Sequence, residues 1–196
     1  MSAPAREVSV ASGSRIAARL APWIVALALT TAACRFLYFP PLTPAPPAAV
    51  ARLVDSSGRP AGTAVFLQQG SEVRVLLDVT GLPAGSKGVH IHEVGKCDPP
   101  SFESAGAHFN PTKAAHGAAN PRGPHAGDLG NIYVDPTGKG HLELSTSRIT
   151  LKKGSTSIFD ADGSSIVVHQ SGDDQRTDPT GNSGPPLACG VIIRAG

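Results

Sequence analysis

The sequence has 196 residues, of which 16% are charged and 5% are aromatic, and its formal net charge is +2. So small a charge provides no basic surface for nucleic acid, and so few aromatic residues provide no platform for stacked bases, so we expect no nucleic-acid partner. Gly and Pro number 22 and 18, well above their usual combined share of roughly 12%, which disfavours a helix bundle and favours short strands joined by loops.

Residues 1–33 have the pattern of an export signal. Three arginines (Arg6, Arg15 and Arg19) precede the apolar run 20–33. A basic region, a short apolar core and small residues before the cleavage point are typical of a secretory signal. The run is also shorter than the ~20 apolar residues that a membrane span requires. We therefore expect a bacterial protein that is exported.

Cys34 follows the small residues 31–33, and together they resemble a bacterial lipobox, in which the cysteine is acylated after cleavage. The alternative is ordinary cleavage at a site of small residues, which leaves Cys34 unmodified or removes it. Residues 34–49 are rich in Pro and predict an extended tether, or a disordered tail if no lipid is attached. The domain is then 50–196, either periplasmic or held at a membrane as a lipoprotein.

Short strands account for most of the domain. Between Glu72 and Val79 apolar and polar residues largely alternate, which indicates a half-buried strand. Similar runs, separated by turn residues, are Val50–Val54, Thr63–Gln69, Gly88–His92, Asn131–Val134, His141–Leu144, Ser165–His169 and Ala188–Arg194. About eight such strands predict an all-β antiparallel sandwich or barrel. Two segments without strand pattern, Glu93–Gly130 and Gln170–Leu187, are long enough to indicate functional loops.

Histidines concentrate in these loops and at strand ends. His90 and His92 are two residues apart, so on a strand they point to the same face and can converge on one metal ion. The other members of the group are His108, His116, His125, Asp128 and His169. Imidazole nitrogens suit copper and zinc alike, and three histidines with one carboxylate suit a tetrahedral zinc site.

The motifs around these histidines resemble those of the copper/zinc superoxide dismutases. They are GVHIHE at 88–93, AGAHFNP at 105–111, HG at 116–117, HAGDLGN at 125–131, VVH at 167–169, TGNSG at 180–184 and LACGVI at 187–192. A cysteine soon after the first motif is similar to the secreted bacterial branch of that family. The resemblance implies an eight-stranded antiparallel Greek-key β-barrel with two long metal-site loops.

The resemblance also implies an activity and a ligand set. Superoxide would be dismuted to dioxygen and hydrogen peroxide at a copper ion that cycles between Cu(II) and Cu(I), with zinc in a structural role. The implied copper ligands are His90, His92, His108 and His169, and the implied zinc ligands are His108, His116, His125 and Asp128. His108 would bridge both metals as an imidazolate and donate a proton to the reduced product.

The same resemblance implies further roles. Asp173 would link His90 to His116 through their second ring nitrogens, although a loop carboxylate in solvent is the alternative and Asp174 lies beside it. Cys97 and Cys189 would form a disulfide, rather than remain as two buried thiols, because an exported protein meets oxidising conditions.

One position departs from the family pattern. The family usually has an arginine immediately before the LACG motif, where it attracts the anion, and this chain has Pro186 there. Proline carries no charge, so we expect weaker steering and a reduced rate. Arg122 and Arg176 are the candidates to replace it in space, although solvated loop charges are the simpler interpretation of both.

Other functions stay open at this stage. A catalytically weak copper- and zinc-binding protein for copper storage or delivery is the main alternative. A β-sandwich interaction module leaves the histidine spacing unexplained, and a zinc hydrolase lacks a candidate general base. The seventh histidine, His141, matches no ligand and is predicted to lie on a surface strand. A homodimer is one expected assembly.

Overall fold

The structure, a computed structural model, describes residues 49–195. The predicted export signal (1–33), Cys34 and the tether up to residue 48 lie outside the described residues. The strands are β1 Ala49–Asp55, β2 Pro60–Gln69, β3 Glu72–Val79, β4 Gly85–His92, β5 Asp128–Val134, β6 Gly140–Thr146, β7 Ser165–His169, β8 Pro186–Val191 and β9 Ile193–Arg194. Residues 49–195 contain one short 3₁₀ turn, Glu103–Ala105, and none of their segments is a helix long and apolar enough to cross a membrane.

Eight of these strands form a closed antiparallel barrel. The order is β1-β2-β3-β6-β5-β4-β7-β8, and β8 returns to pair with β1, while β9 adds to β1. Because β3 pairs with β6 and not with β4, the strands follow a Greek key. The predicted all-β fold, with its eight-stranded antiparallel Greek-key barrel, is therefore confirmed, and it carries the two expected long loops, the first 93–127 and the second 170–185. Residues 147–164 form a third long connection, between β6 and β7.

Alternation along the strands fills the barrel. In β3, Val75 and Leu77 are fully buried, whereas Asp78 on the other face is exposed. The interior side chains are mostly branched aliphatics and alanines, with Phe66 from β2 among the largest. Such packing makes the barrel a firm support for whatever its strands carry on their outer face.

The strand β4 is buried on both faces. Val89 and Ile91 point into the barrel and are fully buried, while His90 and His92 point outward beneath the loops. The pairing of β4 with β5 slips between Val89 and His90. Such bulges re-aim side chains beside functional sites. The pairing of β7 with β8 slips in the same way between Val168 and His169, and β7 lies along the other edge of β4.

Several strands are longer than the sequence predicts, with β2 and β5 each beginning three residues early, and two differences bear on the site. The run Ala188–Arg194 is not one strand, because Ile192 interrupts the pairing and turns inward, with 4% of its surface exposed. The strand β4 also begins earlier than predicted and includes Lys87, which is 6% exposed and donates a hydrogen bond from Nζ to the carbonyl oxygen of Gln170 at 2.8 Å.

A disulfide ties the first long loop to the barrel. Cys97 and Cys189 are bonded, with 5.6 Å between their Cα atoms, which confirms the predicted pair. Phe102 and Ala105 from the same loop pack against Cys189 and Val167 in a small separate core. The disulfide and this small core therefore fix the loop to β7 and β8.

Candidate metal centre

Four histidines converge where β4 and β7 meet the first loop. Ligand atoms of His90, His92, His108 and His169 lie within 4.8 Å of one another, and all four residues are buried. The Nε2 atoms of His92 and His169 are 3.3 Å apart. The ring of His108 stacks on that of His90, with 3.9 Å between centroids. The structure thus brings together the four residues expected to hold copper.

The outer nitrogens of three of these rings are held by hydrogen bonds. Nδ1 of His92 donates to the carbonyl oxygen of Gly106 at 2.8 Å, and Nδ1 of His169 donates to that of Gly184 at 2.8 Å. Nε2 of His90 is 2.8 Å from Oδ2 of Asp173. Because a neutral imidazole protonated at one nitrogen keeps a lone pair on the other, the inward nitrogens are acceptors.

A second group lies on the far side of His108. Oδ1 of Asp128 is 3.1 Å from Nδ1 of His108 and 3.3 Å from Nδ1 of His125, and its Oδ2 is 3.1 Å from Nδ1 of His116. Backbone N–H groups of Gly117 and His125 donate to Oδ2 at 2.9 Å and fix the carboxylate. These are the four residues expected to hold zinc.

His90 lies between the two groups. Ligand atoms of His90, His108, His116 and Asp128 also lie within 4.8 Å of one another, a set that includes His90 in place of His125. However, Nε2 of His90 is already bonded to Asp173. His125 offers its Nδ1 to this half of the site instead, beside Asp128.

Asp173 connects the two groups. Its Oδ2 meets Nε2 of His90 and its Oδ1 meets Nε2 of His116, at 2.8 and 2.9 Å, and the backbone N–H of Gln175 donates to Oδ1 at 2.6 Å. Its neighbour Asp174 is exposed and bonds within its own loop, to Thr177. The structure therefore places Asp173, not Asp174, in the bridging position.

We call His90, His92, His108 and His169 the copper-side group, and His108, His116, His125 and Asp128 the zinc-side group. Burial controls the protonation of three of the copper-side rings. It lowers the pKa of His90 and His92 to about 3, and that of His169 to about 4, so each ring is neutral at neutral pH. A neutral ring has the lone pair that a metal requires.

The zinc-side groups respond to each other's charge. Burial would lower the pKa of His116, but the carboxylates of Asp128 and Asp173 outweigh it and raise that pKa to about 9. Burial would likewise raise the pKa of Asp128, but contacts with His108, His116 and the Gly117 N–H hold it well below its usual range. A cation among these groups is therefore favoured, whether it is a proton or a metal ion.

Unpartnered buried nitrogens test whether metals suit the site. Nδ1 of His90 and Nε2 of His108 are buried without a hydrogen-bond partner on the copper side, and Nδ1 of His116 and His125 are so on the zinc side. Buried polar atoms are rarely left in this way. Four nitrogens suit copper, and three nitrogens with a carboxylate oxygen suit zinc. The donor atoms therefore fit one ion on each side of His108.

A cavity of about 370 Å³ opens over the copper-side group. Its wall includes His92, His108, His169, Asn110 and Thr180. The charged carboxylate side chain in the wall is Glu93, and among residues 49–195 no Lys or Arg lines the cavity.

The two arginines considered as replacements lie elsewhere on the surface. Arg122 and Arg176 are exposed and neither lines the cavity over the copper-side group. Pro186 begins β8, a position that proline tolerates, and pairs there with His169. The family's usual cation therefore has no counterpart in the described cavity wall.

Asn131 supports the bridge and was not singled out by the sequence. Its side chain donates to the carbonyl oxygen of Asp173 at 2.9 Å and accepts the N–H of Asp173 at 2.7 Å. Its place in the HAGDLGN motif was the available signal. His141, by contrast, lies apart on β6 with 56% of its side chain exposed, bonded to Asp78 at 2.7 Å. It is the surface histidine that the sequence predicts.

Comparisons with known proteins agree with this geometry. Residues 60–192 match the family described as "Copper/zinc superoxide dismutase (SODC)". The chain is 44% identical over 144 residues to superoxide dismutase [Cu-Zn] 1 of Aquifex aeolicus, covering 72% of this chain and 85% of that protein. It is 46% identical over 112 residues, 57% of each chain, to the superoxide dismutase-like protein YojM of Bacillus subtilis.

A solved structure supports the same assignment of fold. The crystal structure of a double mutant of a SOD-like protein from Bacillus subtilis aligns with a TM-score of 0.70 and 41% identity. The alignment covers 72% of this chain and 95% of that one.

Proposed function

This chain belongs to the copper/zinc superoxide dismutase family, and we propose that it dismutes superoxide in the cavity over His92, His108 and His169. Two superoxide anions and two protons become one dioxygen and one hydrogen peroxide, with one anion oxidised and the other reduced. One observation carries the proposal: His90 and His108 each have a buried nitrogen without a hydrogen-bond partner, and they belong with His92 and His169 to a group whose ligand atoms lie within 4.8 Å of one another. Copper, when bound there, supplies the one-electron exchange between Cu(II) and Cu(I).

The chain's residues orient the site and handle protons. Carbonyl oxygens of Gly106 and Gly184 fix the rings of His92 and His169, so their Nε2 atoms stay directed at the cavity floor. His108 presents Nε2 to the copper side and Nδ1 to Asp128. Nε2 of His108 is thus the atom that can hold a proton beside a bound substrate and pass it to peroxide oxygen.

The zinc-side residues hold that arrangement together. We propose that His108, His116, His125 and Asp128 bind zinc, since three nitrogens and a carboxylate oxygen suit a closed structural site. Asp173 then transmits the position of His116 to His90 through one carboxylate. Groups hydrogen-bonded to ligands in this way commonly change metal affinity about 10- to 100-fold when removed.

The absence of the family's usual arginine at residue 186 affects the expected rate of dismutation. Because Glu93 is the charged group in the cavity wall and residue 186 is proline, we propose a weakly steered and slower dismutase. The same observation favours a second candidate, a protein that stores or delivers copper with little turnover. The two differ in turnover, not in metal content.

Metal analysis with a superoxide assay on the purified protein tests these proposals. One copper and one zinc per chain with turnover supports the dismutase. Both metals without turnover above that of the metal-free protein supports storage or delivery. Absence of copper after loading contradicts both candidates.

We also propose that the protein works outside the cytoplasm, in the periplasm or at a membrane through lipid on Cys34. The Cys97–Cys189 disulfide supports an oxidising compartment. Expression in a bacterial host with labelled palmitate, with and without globomycin, checks the anchor. Label at Cys34 and globomycin-blocked processing are expected, and a Cys34→Ser variant serves as the unlabelled control. Sedimentation of the purified domain checks the proposed homodimer.

A further inference from the structure

Asp178 lies in the second loop, 170–185, where that loop meets the first loop, 93–127. Its Oδ1 accepts the backbone N–H of His116 at 2.6 Å. The same oxygen is 3.7 Å from Nε2 of His125. One carboxylate from a distant part of the chain therefore contacts two of the three histidines whose Nδ1 atoms lie beside Asp128.

The other candidate ligand histidines show that a contact to the outer ring nitrogen orients the ring. His92 and His169 have their outer nitrogens bonded to carbonyl oxygens, and Asp173 bonds those of His90 and His116. For His125, the outer nitrogen faces Asp178. The separation of 3.7 Å is longer than a direct hydrogen bond, so the carboxylate acts on the ring N–H through its negative charge.

We propose that Asp178 is a positioning residue for the zinc half of the site. It fixes His116 through the backbone and sets the ring of His125 so that Nδ1 points at Asp128. This inference rests on the zinc set proposed above. It makes Asp178, like Asp173, a carboxylate behind the ligands, and both of its histidine contacts are on the zinc side.

The contact also reaches the substrate cavity. Pro179 and Thr180 follow Asp178 directly and both line the cavity over the copper-side group. Fixing Asp178 against the zinc-side loop therefore fixes this part of the cavity wall. The zinc half would then support the substrate cavity through three consecutive residues, in addition to the link through Asp173.

Asp174 provides a matched control in the same loop. Like Asp178 it is an exposed aspartate that accepts backbone N–H bonds, from Arg176 at 2.9 Å and Thr177 at 2.8 Å. Its contacts hold the loop's own turn and involve none of the zinc-side histidines. A variant at residue 174 therefore loosens the loop without removing the charge behind His125.

Zinc affinity by chelator competition, and the absorption bands of the protein with one equivalent of Co²⁺, test the proposal. Asp178→Ala should weaken zinc binding about 10- to 100-fold and shift the Co²⁺ bands. Asp178→Asn retains an acceptor for His116 but no charge, so it should fall between Asp178→Ala and the wild type. Asp174→Ala should leave both readouts close to those of the wild type.

Two results would overturn the inference. One is an Asp178→Ala protein with wild-type affinity and bands, and the other is an equal loss in Asp174→Ala. If Asp178→Ala does not fold, the comparison of Asp178→Asn with Asp174→Asn decides the matter by the same readouts. Failure of the wild-type protein itself to bind zinc or Co²⁺ would contradict the proposed zinc set instead, so the two failures are distinguishable.

Discussion

The copper-side and zinc-side groups are supported by different parts of the chain. Three of the four copper-side histidines lie on barrel strands, His90 and His92 on β4 and His169 on β7. On the zinc side, His108, His116 and His125 lie in the first loop, and Asp128 is the first residue of β5. The barrel thus sets most of the copper-side geometry, whereas contacts between two loops set most of the zinc-side geometry.

This difference explains where the supporting contacts occur. The strand histidines need one hydrogen bond each to set their rings, as Gly106 does for His92. The zinc-side loop is held by Asp173 and Asp178 from the second loop and by the Cys97–Cys189 disulfide. Substitutions on strands should therefore remove one ligand cleanly, whereas substitutions between the loops should disturb both metals.

The largest effect is expected from a strand ligand. His169→Ala should lower superoxide dismutation more than about 100-fold, beyond the usual loss for a group behind a ligand, while zinc content stays near that of the wild type. The loss follows because a copper-side nitrogen disappears and the zinc-side residues are untouched. Metal analysis and a superoxide assay measure both quantities.

His141→Ala is the control for this change. His141 is exposed on β6 and hydrogen-bonded to Asp78, so the activity of the His141→Ala protein should stay within about twofold of the wild type. A His169→Ala protein that retained full activity, or that lost zinc as completely as copper, would break the proposed division between the two halves.

An intermediate effect is expected from Gly181. It has a φ of +63°, and a Cβ there would collide with Oδ1 of Asp173 and Nε2 of His116. Gly181→Ala should therefore displace the shared carboxylate and weaken copper and zinc binding together, each about 10- to 100-fold. Competition titrations for the two metals check the joint loss.

Gly58→Ala separates this collision from backbone strain. Gly58 has a φ of +78° in the β1–β2 hairpin, and a Cβ there meets nothing within 4 Å. Its metal affinities should match those of the wild type. If Gly181→Ala weakened only one metal, Asp173 would not be the link between the halves.

The smallest effect is expected at residue 186, where the family usually has an arginine. Pro186→Arg should raise the rate by about tenfold at low ionic strength, because a local positive charge attracts the anion, and should steepen its dependence on salt. Pro186→Gln removes the proline without adding charge and should leave the rate near that of the wild type. Equal gains in both variants would point to the backbone and not to charge.

The sequence predicted most strands because their patterns are local. Glu72–Val79 and Ser165–His169 were predicted with the bounds that the structure shows, since each is an apolar or alternating run between turn residues. The break at Ile192 was missed because residues 191–193 are uniformly apolar. The early start of β4 was missed because Gly85 and Lys87 have weak strand preference.

The site divides in the same way. Spacing and motifs predicted the seven candidate ligands, and the structure places them in two groups that share His108. Asp173 was predicted as the bridge from the family resemblance, whereas the contacts of Asn131 and Asp178, which join residues about 40 to 60 positions apart, were not predicted. Local pattern carries no signal for such contacts.

We propose that the copper-side group, beneath a cavity whose described wall contains no guiding cation, dismutes superoxide. Pulse radiolysis of protein carrying one copper and one zinc, over a series of ionic strengths, tests it most directly. We expect catalytic decay of superoxide with a rate that changes little with salt. Decay no faster than with the metal-free protein would contradict the enzyme, and a fast rate that falls steeply with salt would contradict the weak steering.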